Sequence, residues 1–379
     1  MSVFPEQETF HNERMPYPFR PNVLKMAPYS PGKPIDEVKR ELGLTDVVKL
    51  ASNENPLGPS PKAIEAIRNA AADCHLYPDA SSYELRMAIS RKFGMPYDQV
   101  MVGNGSDELI HLLGMIFLNP GDQMIVGYPS FVRYDAAAEL TESECIRVPV
   151  DSEYRIDLPA MRRAVTERTK LVWIANPNNP TGTINSKEAL TAFLDSLPDH
   201  IVTVLDEAYF EYAAENPDYP NSLDYIRAGK QVIGLRTFSK AYGLAGLRVG
   251  YGFAAPEVVD SIHRAREPFN VNSLAQVGAI AALSDDAFLE KTLKMNREGR
   301  ERLHEVFQEF GAKPVQSYAN FVLADFGQPT EPLFQALLAQ GVIVRQGLPT
   351  CLRVSVGTAD ECTRFINALR AIMKEKVTI

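Results

Sequence analysis

Short apolar runs alternate with helical or polar segments from Val100 to Ala254, and this alternation constrains the fold more than any other feature of the chain. The runs are rich in Val, Ile and Leu without strict apolar–polar alternation, which is typical of strands buried on both faces of a mostly parallel sheet. We therefore predict an α/β fold with helices on both faces. The predicted strands are Gln99–Val102, Gln123–Val126, Cys145–Val150, Leu171–Ala175, Ile201–Leu205, Val232–Leu235 and Gly250–Phe253.

The pattern changes after Pro268, which indicates a second and smaller α+β unit. A continuous helical pattern from Ala275 to Glu309 is followed by three short apolar runs and two helical patterns. A chain of 379 residues is long enough for two domains. The predicted division is an extended amino-terminal arm at 1–28, a small domain at 29–46 and 270–379, and a large ligand-binding domain at 47–269.

The composition argues against several classes of protein. The formal net charge of −9, without a dense Lys/Arg stripe, argues against a nucleic-acid surface. The longest apolar stretch, Leu109–Leu118, is too short to span a bilayer. Four cysteines without Cys-x-x-Cys spacing fit reduced thiols, and six scattered histidines predict no metal site. We expect a cytoplasmic protein that binds neither membrane nor nucleic acid.

Lys240 lies in the tetrapeptide Thr237–Lys240, directly after the apolar run Gln231–Leu235. The tetrapeptide resembles the Ser-x-x-Lys of acyl-serine hydrolases, but the Ser-Asp-Asn and Lys-Thr-Gly motifs of those enzymes are absent from the sequence. The lysine would leave the carboxyl end of a strand, and that edge of an open α/β sheet is where ligands bind. We predict a nucleophilic lysine in a ligand site.

Other predicted strands also end in groups that could enter the same cleft. Asp206 follows one buried strand, and Tyr209 lies three residues further on. Asn179 lies in a proline-flanked turn after another strand, and Phe131 follows a third. Each has a structural alternative, since Asp206 can cap a helix, the turn at Asn179 can be only a tight loop, and Phe131 can pack in the core.

The segment Gly103–Glu108 follows a strand and opens a helix, which is the usual setting for an anion bound by free backbone N–H groups. It does not complete a dinucleotide fingerprint, because Glu108 stands at the third glycine position. A helix cap without a ligand is the alternative. Groups that could converge on one phosphate are Gly105, Ser106, Asp107, Ser239 and Arg248.

A lysine, a carboxylate, a phenol, an amide and a guanidinium can together hold one flat, phosphorylated ring that bears an aldehyde. That ring is pyridoxal phosphate, which would form a Schiff base with Lys240. Asp206 would pair with the pyridine nitrogen, and Tyr209 and Asn179 would reach the ring hydroxyl from two sides. The site therefore predicts an enzyme that moves amino groups.

The order Asn179-Pro180-Thr181-Gly182, Asp206-x-x-Tyr209, Ser239-Lys240 and Arg248 resembles the aspartate-aminotransferase superfamily, whose members have fold type I. Further segments look like those of histidinol-phosphate aminotransferases, and the resemblance covers roughly residues 24–376. These segments are Pro28–Gly32, Ser52–Gly58, Leu76–Pro78, Gly103–Asp107 and Leu352–Thr358.

This resemblance implies a role for each candidate residue. Catalysis would depend on Lys240, Asp206 and Tyr209. Phe131 would stack on the ring, and Asn179 would face the ring oxygen. The phosphate would be surrounded by Gly105, Ser106, Asp107, Thr237, Ser239 and Arg248, with Tyr77 supplied by a neighbouring subunit of a homodimer. Substrate contacts would come from Tyr29, Asn53, Asn320, Arg345 and Arg353, with Arg353 holding a carboxylate.

The chain departs from the family between Arg345 and the stretch Gly347-Leu348-Pro349, where members usually carry a longer loop. That loop borders the substrate pocket, so the shortening bears on which small-molecule donor and acceptor bind. The expected reaction is ping-pong transamination of histidinol phosphate with 2-oxoglutarate. The alternatives are an aromatic aminotransferase that acts on phenylalanine or tyrosine, a decarboxylase of the same fold and a non-catalytic binding protein.

Overall fold

The structure is a computed structural model that describes residues 17–28 and 32–377. In this part of the chain the strands are β1 (Val48–Lys49), β2 (Val100–Gly103), β3 (Gln123–Tyr128), β4 (Glu144–Pro149), β5 (Thr169–Ala175), β6 (Val202–Asp206), β7 (Val232–Thr237), β8 (Gly250–Phe253), β9 (Lys313–Pro314), β10 (Phe321–Asp325), β11 (Val342–Ile343), β12 (Arg345–Leu348) and β13 (Cys351–Ser355).

The α-helices of the same ranges are α1 (Pro21–Lys25), α2 (Ile35–Leu42), α3 (Pro61–Ala70), α4 (Tyr83–Phe93), α5 (Ser106–Phe117), α6 (Arg133–Thr141), α7 (Leu158–Ala164), α8 (Lys187–Ser196), α9 (Phe210–Ala213), α10 (Ser222–Arg227), α11 (Pro256–Ala265), α12 (Ser273–Leu283), α13 (Asp286–Glu309), α14 (Glu331–Ala339) and α15 (Ala359–Val377). None of these helices is both long enough and apolar enough to cross a membrane.

The central sheet has seven strands in the order β2-β8-β7-β6-β5-β3-β4. All neighbours run parallel except β8, which is antiparallel to both β2 and β7. Because side chains alternate across a strand, each strand contributes to two cores. In β5, for example, Val172 and Ile174 pack on one face, and Leu171 and Trp173 pack on the other. The predicted α/β fold with a mostly parallel sheet is confirmed.

Different helices cover the two faces of this sheet. One core is completed by buried apolar residues of α4, α7, α8, α10 and α12. The opposite core is completed by residues of α5, α6 and α11. Both faces are therefore removed from water, which explains why the strands read as continuous apolar runs in the sequence.

A second unit is built around a four-stranded antiparallel sheet in the order β12-β13-β10-β9, packed against α13, α14 and α15. The pair β1-β11 lies against the same core, which contains Val48 and Leu50. The strand β1 thus packs with the carboxyl-terminal unit, although the predicted division assigns it to the range 47–269. The domain boundaries themselves remain a prediction.

The structure corrects two predictions of secondary structure and adds two strands. The helical pattern of 275–309 is split into α12 and α13, because α12 ends at Leu283, Asp285 leaves the helical conformation and the next helix begins at Asp286. The arm predicted to be extended contains the short helix α1 among its described residues 17–28. The strands β9 and β12 were not predicted, since Lys313–Pro314 is too short and Arg345–Leu348 too polar to give an apolar signal.

Arg236 is the largest charged side chain that is fully buried in the central sheet. Its Nε donates to Oε2 of Glu207 at 2.9 Å, and its Nη2 donates to Oδ1 of Asn221 at 2.9 Å. Its guanidinium carbon also lies 3.3 Å from the ring centroid of Phe210. A buried cation and anion that satisfy each other in this way hold β7 to the segment that follows β6.

Replacing Arg236 with Ala should lower the free energy of unfolding by about 3–5 kcal/mol, because Glu207 would be left buried without its cation. The change is measured from urea-denaturation midpoints. The control is Arg264→Ala, which breaks an exposed pair with Asp260 and should change the free energy by less than about 1 kcal/mol. Equal losses of unfolding free energy in the two variants would contradict a stabilising role of the buried pair between Arg236 and Glu207.

Candidate active site

The antiparallel strand β8 brings three separate segments to one edge of the central sheet. Gly250, its first residue, is paired with Gly103 at the end of β2 and with Thr237 at the end of β7. A side chain at Gly250 would overlap the backbone nitrogen of Ser106. The glycine therefore allows the loop after β2, the loop after β7 and the segment before β8 to meet.

The amino terminus of α5 forms the first part of the site. Gly105 precedes Ser106 with φ +78°, a conformation that favours glycine. A Cβ at Gly105 would lie only 2.7 Å from Nη2 of Arg248, so the glycine also makes room for that guanidinium. Arg248 Nη2 donates to Oδ2 of Asp107 at 3.0 Å. The first N–H groups of α5 and one guanidinium thus face the same place, which suits a phosphate.

Glu108, which excluded a dinucleotide fingerprint, holds this loop in place. Its Oε2 accepts hydrogen bonds from the backbone N of Asn104 and from Nδ2 of Asn270, both at 2.6 Å. In the separate loop after β7, Oγ1 of Thr237 accepts a hydrogen bond from the backbone N of Ser239 at 3.1 Å. The side chain of Glu108, which stands at the third glycine position, therefore orders the loop before α5.

Asp206 ends β6 and is buried, with 5% of its surface exposed. Its Oδ2 accepts a hydrogen bond from the hydroxyl of Tyr134 at 2.6 Å, and its Oδ1 accepts one from the backbone N of Ala208 at 3.1 Å. Burial raises the pKa of Asp206 to about 6, while these two donors lower it. Neither donor is a cation, so the carboxylate can still accept a positively charged ligand atom.

Lys240 lies between the two sheets, where its Nζ donates to the backbone O of Ser52 at 3.4 Å. Its Nζ is also 5.8 Å from the ring centroid of Tyr209. Burial, followed by the positive charge of Arg353, lowers the pKa of Lys240 to about 8. A sizeable fraction of this amine is therefore uncharged near neutral pH, as a nucleophile or base requires.

The hydroxyl of Tyr209 accepts a hydrogen bond from Nδ2 of Asn53 at 2.9 Å. Asn53 is held from the other unit, because its Oδ1 accepts a hydrogen bond from Oγ of Ser355 at 2.8 Å. Nδ2 of Asn320 donates to the backbone O of Asn53 at 3.0 Å. This buried network fixes the position of the phenol at the boundary of the two units.

Arg353 completes the group from the second sheet. Its Nη1 donates to Oδ1 of Asn179 at 2.6 Å, and its Nη2 donates to the backbone O of Ala51 at 2.5 Å. Arg345 on β12 is paired directly with Arg353 on β13. Directly opposed residues of an antiparallel pair project from the same face, so the two arginines share one side of the hairpin.

Several predicted residues contact one another, and others stand apart. One group is linked by contacts, either directly or through one intervening group, and consists of Lys240, Tyr209, Asn53, Asn320, Asn179 and Arg353. A second group consists of Gly105, Asp107 and Arg248. Phe131 packs edge-to-face on Tyr134, with centroids 5.7 Å apart. Tyr77 stacks on Phe269 at 4.7 Å and is 83% exposed. Tyr29 lies outside the described residues.

Sequence reasoning missed three residues that take part in the site: Tyr134, Ser355 and Ser52. Tyr134 lies in the first turn of α6, and Phe131 precedes that helix and packs edge-to-face on Tyr134. Ser355 lies two residues after Arg353 on β13, so it projects from the same face. Strand periodicity could have found Ser355, whereas Ser52 contributes only its backbone oxygen.

The family model for aminotransferases of class I and II matches residues 45–369, which is most of the chain. The chain belongs to this family. The match covers the central sheet, the second sheet and every predicted site residue except Tyr29. The predicted enzyme class, an aminotransferase, is confirmed. No group of three or more His, Cys, Asp or Glu side chains suited to a metal occurs among residues 17–28 and 32–377.

Individual members of the family are similar over nearly their full length. The histidinol-phosphate aminotransferase of Moorella thermoacetica is 49% identical over 93% of this chain and 92% of its own. That of an Anaeromyxobacter species is 48% identical over 93% and 98%. The crystal structure of histidinol-phosphate aminotransferase from Sinorhizobium meliloti in complex with pyridoxal-5'-phosphate superposes with a TM-score of 0.88, at 28% identity and 94% and 98% coverage.

The same architecture occurs in an aminotransferase of another name. The aspartate aminotransferase of Thermus thermophilus with maleate superposes with a TM-score of 0.82, at 25% identity over 94% of this chain and 99% of that protein. The predicted fold type I architecture and the resemblance to histidinol-phosphate aminotransferases are therefore confirmed.

We expect acylation of Lys240 in the ligand-free protein to follow a titration with a midpoint near pH 8, because only the uncharged amine reacts. Labelling with acetic anhydride, followed by peptide mass spectrometry across a pH series, measures this midpoint. Since Arg353 lowers the pKa of Lys240, Arg353→Gln should shift the midpoint upward. A midpoint at the ordinary lysine value of 10.5 would contradict the described environment.

Proposed function

We propose that this aminotransferase binds pyridoxal 5'-phosphate and transfers the amino group of histidinol phosphate to 2-oxoglutarate, a step of histidine biosynthesis. The observation that carries the choice of substrate is the direct pairing of Arg345 with Arg353 across the hairpin β12–β13. The names of full-length relatives at 48–49% identity support the same choice.

The environment of Asp206 fits the pyridine nitrogen of this cofactor. A buried carboxylate with two hydrogen-bond donors and no cationic contact among the described residues is costly to keep charged. A protonated ring nitrogen would supply the missing cation. Bound pyridoxal phosphate contributes an electron-withdrawing ring that stabilises negative charge at the substrate α-carbon. Asp206 keeps that ring protonated.

The remaining cofactor contacts follow from the positions of side chains on both sides of the cleft. The first N–H groups of α5, with Gly105, Ser106 and Asp107, would bind the phosphate together with Arg248. Thr237 and Ser239 would add donors from the loop after β7. The phenol of Tyr209 and the amide of Asn179 would bind the ring oxygen, and Phe131 would stack on the ring.

Lys240 would hold the cofactor through its amine and, once that amine is released, move a proton at the substrate α-carbon. A general base works best when its pKa lies near the working pH. The lowered pKa of Lys240, about 8, meets this condition, whereas a solvated lysine would be almost fully protonated. The partly buried position also limits access of water to Nζ.

Two arginines on the same face of a hairpin indicate an anionic substrate. Like charges directly opposed across two strands destabilise the pair, and an anion between them removes the repulsion. Guanidinium groups bind phosphate and carboxylate with two parallel hydrogen bonds. The phosphate of histidinol phosphate and a carboxylate of glutamate both suit this place. The hairpin turns directly after Leu348, and a register shift between Gln346 and Leu348 brings Arg345 opposite Arg353.

The substrate is tested by single-turnover measurements on the cofactor-loaded enzyme with each amino donor alone. We expect kcat/KM for histidinol phosphate to exceed that for phenylalanine by about tenfold or more, equivalent to about 1.4 kcal/mol of transition-state binding. A tenfold preference for phenylalanine would make the protein an aromatic aminotransferase. Release of carbon dioxide from an amino acid would make it a decarboxylase. Lys240→Ala should be inactive with all donors and provides the blank.

Arg345→Ala should lower kcat/KM for histidinol phosphate by about 30-fold or more, because a charge-assisted hydrogen bond contributes about 2 kcal/mol. The kcat/KM for phenylalanine should change by less than about threefold, because its single carboxylate would bind Arg353. The matched control is Arg302→Ala on α13, whose exposed guanidinium donates to the backbone O of Ala359 and to Oγ1 of Thr363 on α15. Equal losses on both donors would contradict a role of Arg345 in substrate choice.

The proposed assembly is a homodimer in which Tyr77 reaches the phosphate of the neighbouring site. Leu76, Tyr77 and Phe269 are 58%, 83% and 41% exposed, and the two rings stack on each other. Contiguous exposed apolar groups of this kind mark interaction surfaces. The proposed location is the cytoplasm, which is supported by four free cysteines.

Tyr77→Phe should leave the dimer intact and weaken cofactor binding by about tenfold, since one hydrogen bond to a charged phosphate is lost. Sedimentation analysis measures the assembly, and equilibrium dialysis measures the affinity of the apoprotein for pyridoxal phosphate. Tyr83→Phe is the control, because Tyr83 is also exposed but packs against Tyr97 of its own chain. A monomer with full cofactor affinity and activity would rule out the shared site.

A further inference from the structure

Tyr134 is a buried tyrosine whose only described hydrogen bond goes to the carboxylate of Asp206. The hydroxyl donates to Oδ2 over 2.6 Å, and the residue is 1% exposed. The carboxylate requires a donor at this place, because burial alone raises the pKa of Asp206. The hydrogen bond is charge-assisted and belongs to the stronger class of such bonds.

The ring of Tyr134 is fixed by two aromatic neighbours. It stacks on Trp173, with centroids 4.9 Å apart and an interplanar angle of 18°. Phe131 packs against it edge-to-face at 5.7 Å. Trp173 lies on β5, two residues before Ala175, which is paired with Asp206. The hydroxyl therefore reaches Asp206 from a ring that packing on both sides holds in one orientation.

The phenol remains a donor throughout the working pH range. Burial and the adjacent carboxylate of Asp206 hold the pKa of Tyr134 well above its ordinary value. Two further carboxylates that act on Asp206 are Asp107 on α5 and Glu207, the next residue in the chain, and both raise its pKa. Tyr134 and the backbone N of Ala208 oppose them.

We propose that Tyr134 is a positioning residue that keeps Asp206 ionised and aimed at the cofactor nitrogen. This inference rests on the proposed binding of pyridoxal phosphate. Tyr134 contacts the carboxylate through one oxygen and Ala208 contacts it through the other, so the orientation of the carboxylate is fixed before any ligand binds. Without the phenol, Asp206 would be protonated more often at neutral pH and would be held through only one of its oxygens.

The first test uses the apoprotein, so it does not depend on the cofactor. In Tyr134→Phe the midpoint of the Asp206 titration, followed by the carbon-13 signal of its carboxyl group, should move up by about one pH unit, as expected for loss of a charge-assisted hydrogen bond. Tyr251→Phe is the matched control, because Tyr251 is also fully buried and its hydroxyl has no partner in the described part of the chain. The control should leave the midpoint unchanged.

The second test measures the affinity of the same apoproteins for pyridoxal phosphate at several pH values. Tyr134→Phe should bind about threefold more weakly than wild type near pH 6.5, because a one-unit rise of the Asp206 midpoint from about 6 lowers its ionised fraction by that factor there. The difference should shrink towards pH 8.5, where Asp206 is ionised in both proteins. A purely structural role would lower the affinity equally at every pH, and that outcome, or an unchanged midpoint, would overturn the proposal.

A third variant keeps the proposal testable if Tyr134→Phe fails to fold. Incorporation of 3-fluorotyrosine at position 134 retains the ring and makes the hydroxyl a stronger donor, so the midpoint of Asp206 should move down. A midpoint that stays constant would again overturn the role of Tyr134. Failure of wild-type apoprotein to bind pyridoxal phosphate would instead overturn the proposed function, and the carbon-13 titration would still decide the contact.

Discussion

The close approach of β8 to the amino terminus of α5 is the constraint on which the site depends. Gly250 is the first residue of β8, and any side chain there would overlap the backbone of Ser106. Because β8 runs against β2 and β7, it places the segment that carries Arg248 at the same edge where the parallel strands end. An all-parallel sheet would leave that segment at the opposite edge.

Asp206 is buried, which makes its charged form unfavourable, but the fold also supplies hydrogen-bond donors that stabilise this charged form. Burial favours the neutral acid and is the largest reason that the pKa of Asp206 is raised to about 6. The phenol of Tyr134 and one backbone N–H act in the opposite direction. A short distance away, Glu207 is equally buried but is paired with Arg236. One carboxylate is neutralised by the protein, and its neighbour can be neutralised by a ligand.

The sequence allowed the sheet and most strand ends to be predicted, because parallel strands buried on both faces leave long apolar runs. Lys240 and Asp206 could be found because polar residues at the ends of such runs are unusual. The break between α12 and α13 was missed, because Ser284 and Asp285 lie between two continuous helical patterns and neither residue is Gly or Pro. Tyr134 was missed because an aromatic residue in an apolar helix face predicts packing, and only the register of β5 with β6 brings it to Asp206.

The two sheets contribute different parts of one electrostatic system. Arg353 belongs to the second sheet, yet after burial it is the largest cause of the lowered pKa of Lys240. It also donates to Asn179, which follows the central strand β5. An anion bound at Arg353 would neutralise that charge and raise the pKa of Lys240, making the freed amine more basic when substrate is present. In the proposed mechanism, binding of a substrate anion at Arg353 and the strength of Lys240 as a base would therefore be coupled through one guanidinium.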